Sequence, residues 1–335
     1  PGARENIACM VVCSMHPTVL HEDSTLVSGD FPGMTRQYLQ DELLGRDCPV
    51  LYHTGPEGNQ SPRHVTRENT FAEARRLGHL LGRSIAQVIP SIEYTSEVGL
   101  QSAQRFVELP RRVFPGVSQA EEKLARAAHK LEELRRSDAP RQEIRTAEVD
   151  WFGAEETLTL ARAAEEGRLE PHYQSCQPAE IQVIRIAPQP DAAYPGAWSF
   201  VGWPGELFVE FALAVKAQAP GTYIIALANG ELQGYIVTEE AAAEGGYEAS
   251  NAIFGPISGQ QFRDDYDPYF MATELSKMQS DSVLVPVVTH TNHQFIATWS
   301  QRLGVRDGEL LSQQEAVLHG CHAGETVPVL RHYLG

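Results

Sequence analysis

Little in this sequence suits a stapled, membrane-spanning or polyanion-binding protein. The five cysteines, Cys9, Cys13, Cys48, Cys176 and Cys321, are odd in number and scattered, which reads as reduced thiols rather than a disulfide framework. No stretch approaches the roughly 18 consecutive apolar residues of a transmembrane helix, and no basic, apolar, small-residue leader opens the chain. Positive charge is also short. The 27 basic and 44 acidic side chains give a formal net charge of −17, which argues against a general affinity for nucleic acid or anionic membranes. The expectation is a protein with no transmembrane segment and no nucleic-acid partner, residing in the cytoplasm. Common catalytic signatures are missing too: there is no Gly-Lys-Ser/Thr phosphate loop, no G-x-G-x-x-G, no G-x-S-x-G elbow and no H-E-x-x-H.

What is there has an α/β pattern. The apolar run at 7–15, IACMVVCSM, predicts a strand buried on both faces with His16 at its end. SGDFPG reads as turn chemistry, and MTRQYLQDELLG as a helix stopped by Gly45. CPVLYHT is the next strand and runs into the loop GPEGNQSPR. Residues 66–86 predict a helix capped by Thr66, with Phe71, Ala74, Leu77, Leu80 and Leu81 on its apolar face. Residues 90–112 alternate as a hairpin or an edge strand does. From about 116 to 168 the sequence predicts an inserted helical hairpin, its first helix opened by a Ser118/Glu121 capping box. AEIQVIRIA (179–187), AWSFVGW and TYIIALANG predict further strands, and LFVEFALAVKAQA an amphipathic helix. The fold class expected is α/β, a mixed sheet core with flanking helices and the inserted hairpin.

In such sheets the ligand crevice lies beyond the carboxyl ends of the strands. The polar residues at strand ends and in loops are therefore the site candidates: His16, Asp30, Ser61, Glu206, Tyr235 and Tyr247. Each has a plainer reading. A histidine at a strand end is more often a hydrogen-bonded core residue, Ser61 suits a loop cap, and Glu206 suits the start of a helix. Tyr235 and Tyr247 suit half-buried aromatic positions. Asp30 suits a brace for its turn or a hydrogen bond to a ligand histidine.

The segments MHPTVL, VSGDFPG, GPEGNQSPR, FVGWPGELFVEFA, ALANGELQGYIVTEEAAAEGGYE and FGP resemble, in this order, segments of the neutral/alkaline non-lysosomal ceramidase family and its bacterial relatives. The resemblance covers roughly residues 5–260 and defines a ceramidase-like catalytic region over 1–262, leaving 263–335 as a C-terminal extension. It implies a zinc-dependent hydrolase of an amide bond. His16, Glu206 and Tyr235 look like metal ligands, Ser61 like the family's active-site serine, and Tyr247 like the oxyanion-stabilising tyrosine. Zinc suits nitrogen and oxygen ligands; it lowers the pKa of a water and polarises an amide carbonyl.

The family's first histidine ligand, in an H-T-H-S-G-P type motif upstream of MHPT, has no counterpart here. The chain starts at Pro1 rather than Met, so an upstream segment is expected to have been removed or omitted, and a second polypeptide is expected to supply the N-terminal half. Two alternatives stay open. His290 or His293 of VVTHTNHQ completes the site, or the chain is a non-catalytic binding or scaffold subunit. His319, Cys321 and His322 suit a solvated tail better than a second cluster. With no room for the family's C-terminal immunoglobulin-like domain, the expected substrate is a lipid amide or a smaller amide or lactam.

Overall fold

A computed structural model describes residues 6–21, 26–92, 94, 98–187, 197–230, 232 and 234–265. These fall into two compact units, one holding residues up to 55 together with 60–97, the other 56–59 and 98 onward. The 263–335 extension, apart from a few helical residues at its start, and with it His290, His293, His319, Cys321 and His322, lies outside the described residues.

The first unit is a strand, helix, strand, helix arrangement: β1 (Cys9–Cys13), α1 (Asp30–Leu39), β2 (Val50–Thr54) and α2 (Phe71–Val88). β1 and β2 pair in parallel, Cys9 opposite Val50 through Cys13 opposite Thr54, which requires a crossover, and α1 supplies it. Val11, Leu39 and Val50 form one small core, and Val19, Phe31 and Ala74 another. α1 meets α2 where the Thr35 hydroxyl donates to the carbonyl oxygens of Phe31 and Gly78. The predicted double burial of the first strand is corrected: Val11 is its buried residue and Met10 is exposed, because a two-stranded sheet has too few neighbours to cover both faces.

Two local readings in this unit also change. SGDFPG is a helix entry rather than a free turn. Asp30 takes a left-handed φ of 49°, and Pro32 sits in the first turn, where its missing N–H costs nothing. α2 begins at Phe71, and its cap is Thr70, whose hydroxyl accepts from the Glu73 N–H at 3.2 Å. Thr66 instead hydrogen-bonds to the Arg63 carbonyl.

The second unit is built on a four-stranded mixed sheet of order β3 (Gly99–Val107), β4 (Ala179–Ala187), β5 (Trp198–Gly202) and β7 (Thr222–Ile225). The first three are antiparallel and β5 is parallel to β7. β6 (Glu206–Leu207) and α6 (Val209–Gln218) make the parallel crossover. β4 matches its sequence reading residue for residue because its odd positions, including Ile181 and Val183, are core. Register sets Val183, Val201 and Ile224 in one buried row, and Ile184, Phe200 and Tyr223 in a row on the opposite face, where Phe200 stacks on Tyr223 at 5.7 Å. Trp203, fully buried just past β5, stacks on Phe262, while Trp198 at the start of the same strand is 45% exposed.

The helical hairpin is present as α3 (Val117–Arg136) and α4 (Arg141–Glu165), followed by α5 (Glu170–Cys176). Its expected capping box is not: Gly116 is the cap residue, Ser118 lies inside the helix, and Glu121 pairs with Arg162 across the hairpin at 2.7 Å. β8 (Tyr235–Ile236), α7 (Glu239–Glu244), α8 (Tyr247–Asn251) and α9 (Ser258–Asp265) complete the unit. Among the described residues of 90–112 the strand is β3, at an edge of the sheet. No described helix is long and apolar enough to cross a membrane.

Glu73, 5% exposed, accepts from Arg76 Nε at 2.8 Å, Arg76 Nη2 at 2.6 Å and the Arg67 N–H at 2.9 Å. The Arg76 hydrogen bonds, opposed by burial, pull its carboxyl down to about 2 from 4.5. A depressed folded pKa stabilises above the unfolded value and is lost as pH falls through the folded one. E73Q is expected to destabilise by about 1–2 kcal/mol at pH 7. Thermal melts should show that difference closing between pH 4.5 and about 2.

Candidate metal centre

In the second unit, β6 and β8 are two residues long and pair in parallel, with Glu206 opposite Tyr235 and Leu207 opposite Ile236. Register partners project to the same face of a ladder, so Glu206 and Tyr235 are side by side. A side-chain hydrogen bond joins the Tyr235 hydroxyl, as donor, to the Glu206 carboxylate. Gly234 leads into β8 with φ of 90°, and a Cβ there would lie 2.1 Å from the Asn251 carbonyl oxygen, so the strand is held against the end of α8. At the other end of α8, Tyr247 sets its ring edge towards Tyr235, centroids 6.1 Å apart.

Against this ladder lies the loop 56–59. The Gly58 N–H donates to the Leu207 carbonyl at 2.8 Å, and a Cβ at Gly58 would come within 2.6 Å of the Glu206 carbonyl oxygen. Asn59 secures the loop further: its Oδ1 accepts from the Val209 N–H at 2.9 Å and its Nδ2 donates to Glu210. Between Pro56 and Gly58, Glu57 is carried inward. It is 0% exposed, and neither carboxylate oxygen has a hydrogen-bond partner among the described residues. A Glu57 oxygen lies within 4.8 Å of a Glu206 oxygen.

Burial, and then the Glu206 charge, push the Glu57 carboxyl up to about 8, with its own backbone N–H pulling the other way. Burial also raises Glu206; the Tyr235 hydrogen bond opposes the rise and the Glu248 charge adds to it. The Tyr235 phenol is raised, by burial first and by Glu206 next. A fully buried carboxylate and a half-buried one this close do not both ionise unless a proton or a cation lies between them. The donor set, two carboxylates beside a phenol with one carboxylate otherwise unpartnered, fits a divalent cation.

The first unit holds the other three candidates. The segment 16–20 is tied down along its length. The His16 N–H donates to the Gln60 carbonyl at 2.9 Å, Thr18 Oγ1 is 3.3 Å from Ser61 Oγ, and the Leu20 N–H donates to Asp30 Oδ2 at 2.9 Å. The remaining Asp30 oxygen accepts from the Phe31 N–H at 2.6 Å. With both oxygens on backbone donors and 3% exposure, Asp30 braces the segment. Ser61 Oγ also accepts from the Arg63 N–H at 3.3 Å, capping the short helical turn Pro62–His64. No histidine or carboxylate hydrogen-bonds to Ser61 among the described residues, so a general base for it as a nucleophile is not seen.

Glu57 and Asn59 escaped the sequence reading, although both stand in the motif that contributed Ser61. Pro-Glu-Gly in a loop reads as exposed turn chemistry; the small residue after Glu57 is the one signal of a close approach. No protein-family model, curated protein or solved structure matches the chain.

E57Q keeps the shape of the side chain and removes its charge. A folded pKa of about 8 against 4.5 means that stability is greatest below 4.5 and falls as pH rises towards 8. With chelator present, E57Q is expected to stabilise the chain at pH 8 by on the order of 1–3 kcal/mol. Denaturant titration at pH 8 and pH 4.5 measures this, and the gain should vanish at the lower pH.

Proposed function

We propose that the chain is a metal-dependent hydrolase of an amide bond, similar to the neutral ceramidases. Glu206 and Tyr235 would hold a zinc ion, and Glu57 would face it. One observation carries the reading: Glu206 and Tyr235, taken from separate motifs, are register partners joined by a hydrogen bond, beside a buried carboxylate that lacks a partner. A cation held there supplies positive charge to polarise an amide carbonyl and to acidify a water.

The chain's own groups have the remaining roles. Tyr247, next to Tyr235, donates its O–H to the oxygen that gains charge as the carbonyl is attacked. Glu57, whose carboxylate faces Glu206, would take a proton from the attacking water and pass it to the departing amine nitrogen. Water exclusion favours both steps, because charge interactions strengthen away from solvent. The substrate class is a lipid amide or a smaller amide or lactam, and a second polypeptide is the proposed source of a further histidine ligand.

The test is metal analysis of the purified chain, alone and with any co-purifying protein. Wild type and Y247F are expected to hold one equivalent of divalent cation, and E206Q and Y235F to lose most of it. Y247F should lower kcat on a panel of ceramides, small amides and lactams by about 10²–10³, as loss of an oxyanion donor does. Wild-type preparations without cation, or E206Q preparations that retain it fully, would overturn the reading.

A further inference from the structure

The 44 acidic side chains outnumber the 27 basic ones, and cations in the second unit find carboxylates readily, as Arg111 does with Glu170 and Arg162 with Glu121. Arg112 and Lys123 do not: among the described residues neither has a carboxylate at ion-pair distance. They line the same cavity, of about 130 Å³, together with Val237, Ala249, Ser250 and Phe254.

The Arg112 guanidinium is fixed in place. Its Nη1 donates to the Ser250 carbonyl at 2.9 Å and to the Ala252 carbonyl at 2.6 Å, and its Cζ lies over the Phe114 ring, 5.1 Å from the centroid. Carbonyl capping accounts for that one nitrogen and leaves the charge uncompensated. Lys123, exposed on α3, places Nζ 3.5 Å from Ser250 Oγ, while Ser250 Oγ itself donates to the Gly246 carbonyl at 2.7 Å. Partial withdrawal of the amine from water, on a side chain otherwise exposed, and the Arg112 charge lower the Lys123 pKa; Asp150 opposes them, but it pairs with Lys130 at 3.9 Å. Burial also lowers Arg112. Two like charges held beside a cavity repel each other, and an anion between them relieves the repulsion.

We propose that this cavity is a subsite for a small oxyanion, a carboxylate or a phosphate group, held by Arg112 and Lys123. Its volume is that of roughly four waters, enough for one such group and too small for a nucleotide. The walls belong to the elements that carry the candidate centre: Val237 is next but one after Tyr235, and Ala249 next but one after Tyr247. The bound group is the acidic end of a substrate or product. That assignment rests on the hydrolase reading; anion binding itself does not.

The experiment is isothermal titration of the full chain with inorganic phosphate and, separately, with acetate, at fixed ionic strength and with chelator present. One saturable site is expected. K123Q should weaken binding about ten-fold, the loss of one charge-assisted hydrogen bond, and K123R should restore it. R126Q, on the same helix, should bind as wild type does. Tighter phosphate than acetate assigns a phosphate group, and the reverse a carboxylate. Absence of saturable binding by both probes, or equal affinity in K123Q and wild type, overturns the subsite. Saturable binding by a chain whose preparations carry no cation before chelation, alone or with any co-purifying protein, would leave the subsite standing and remove the hydrolase reading.

Discussion

Two carboxylates within 4.8 Å of one another, one of them fully out of water, are a liability that the surrounding fold has to maintain. An isolated buried charge costs several kcal/mol, so the pair persists because its backbone is held from several directions. The two-residue ladder of β6 and β8 fixes Glu206, the Gly58 N–H fixes the loop that carries Glu57, and Asn59 fastens that loop to the start of α6. None of these contacts is apolar. The sheet core of the second unit, with Val183, Val201 and Ile224 in one row, supplies the stability against which the polar arrangement is held.

The first unit uses the same means for a different end. Two of its site candidates are satisfied: Asp30 by two backbone donors, and Ser61 by Thr18 and the Arg63 N–H. Side chains whose acceptors are already filled serve as braces, whereas Glu57 has acceptors to spare. That difference in hydrogen-bond satisfaction separates framework from site more sharply than residue type does, since both sets contain the carboxylates and hydroxyls expected of catalysis.

The elements legible in the sequence were those whose pattern and burial agree. β4 alternates because one of its faces is core, and the α3–α4 hairpin is long enough for helical spacing to be plain. Boundaries were less legible. Thr66 and Ser118 both have the chemistry of a cap, yet Thr70 caps α2 and Gly116 opens α3. A hydroxyl marks a helix start only where the preceding backbone is extended, and that depends on tertiary packing. Glu206, Tyr235 and Tyr247, neighbours in the second unit, were each singled out by motif. Glu57 was not, because a charged side chain in a glycine-rich loop carries no local sign of burial.

The two faces of the second unit's sheet also place two indoles in opposite surroundings. Trp203 lies in the core against Phe262, and Trp198, five positions earlier in the chain, is in contact with solvent. Fluorescence thus has two built-in reporters in one short segment. Iodide quenches Trp198 and spares Trp203, and the difference between W198F and W203F emission follows the exposed start of β5 and the core just past its end separately as the chain unfolds.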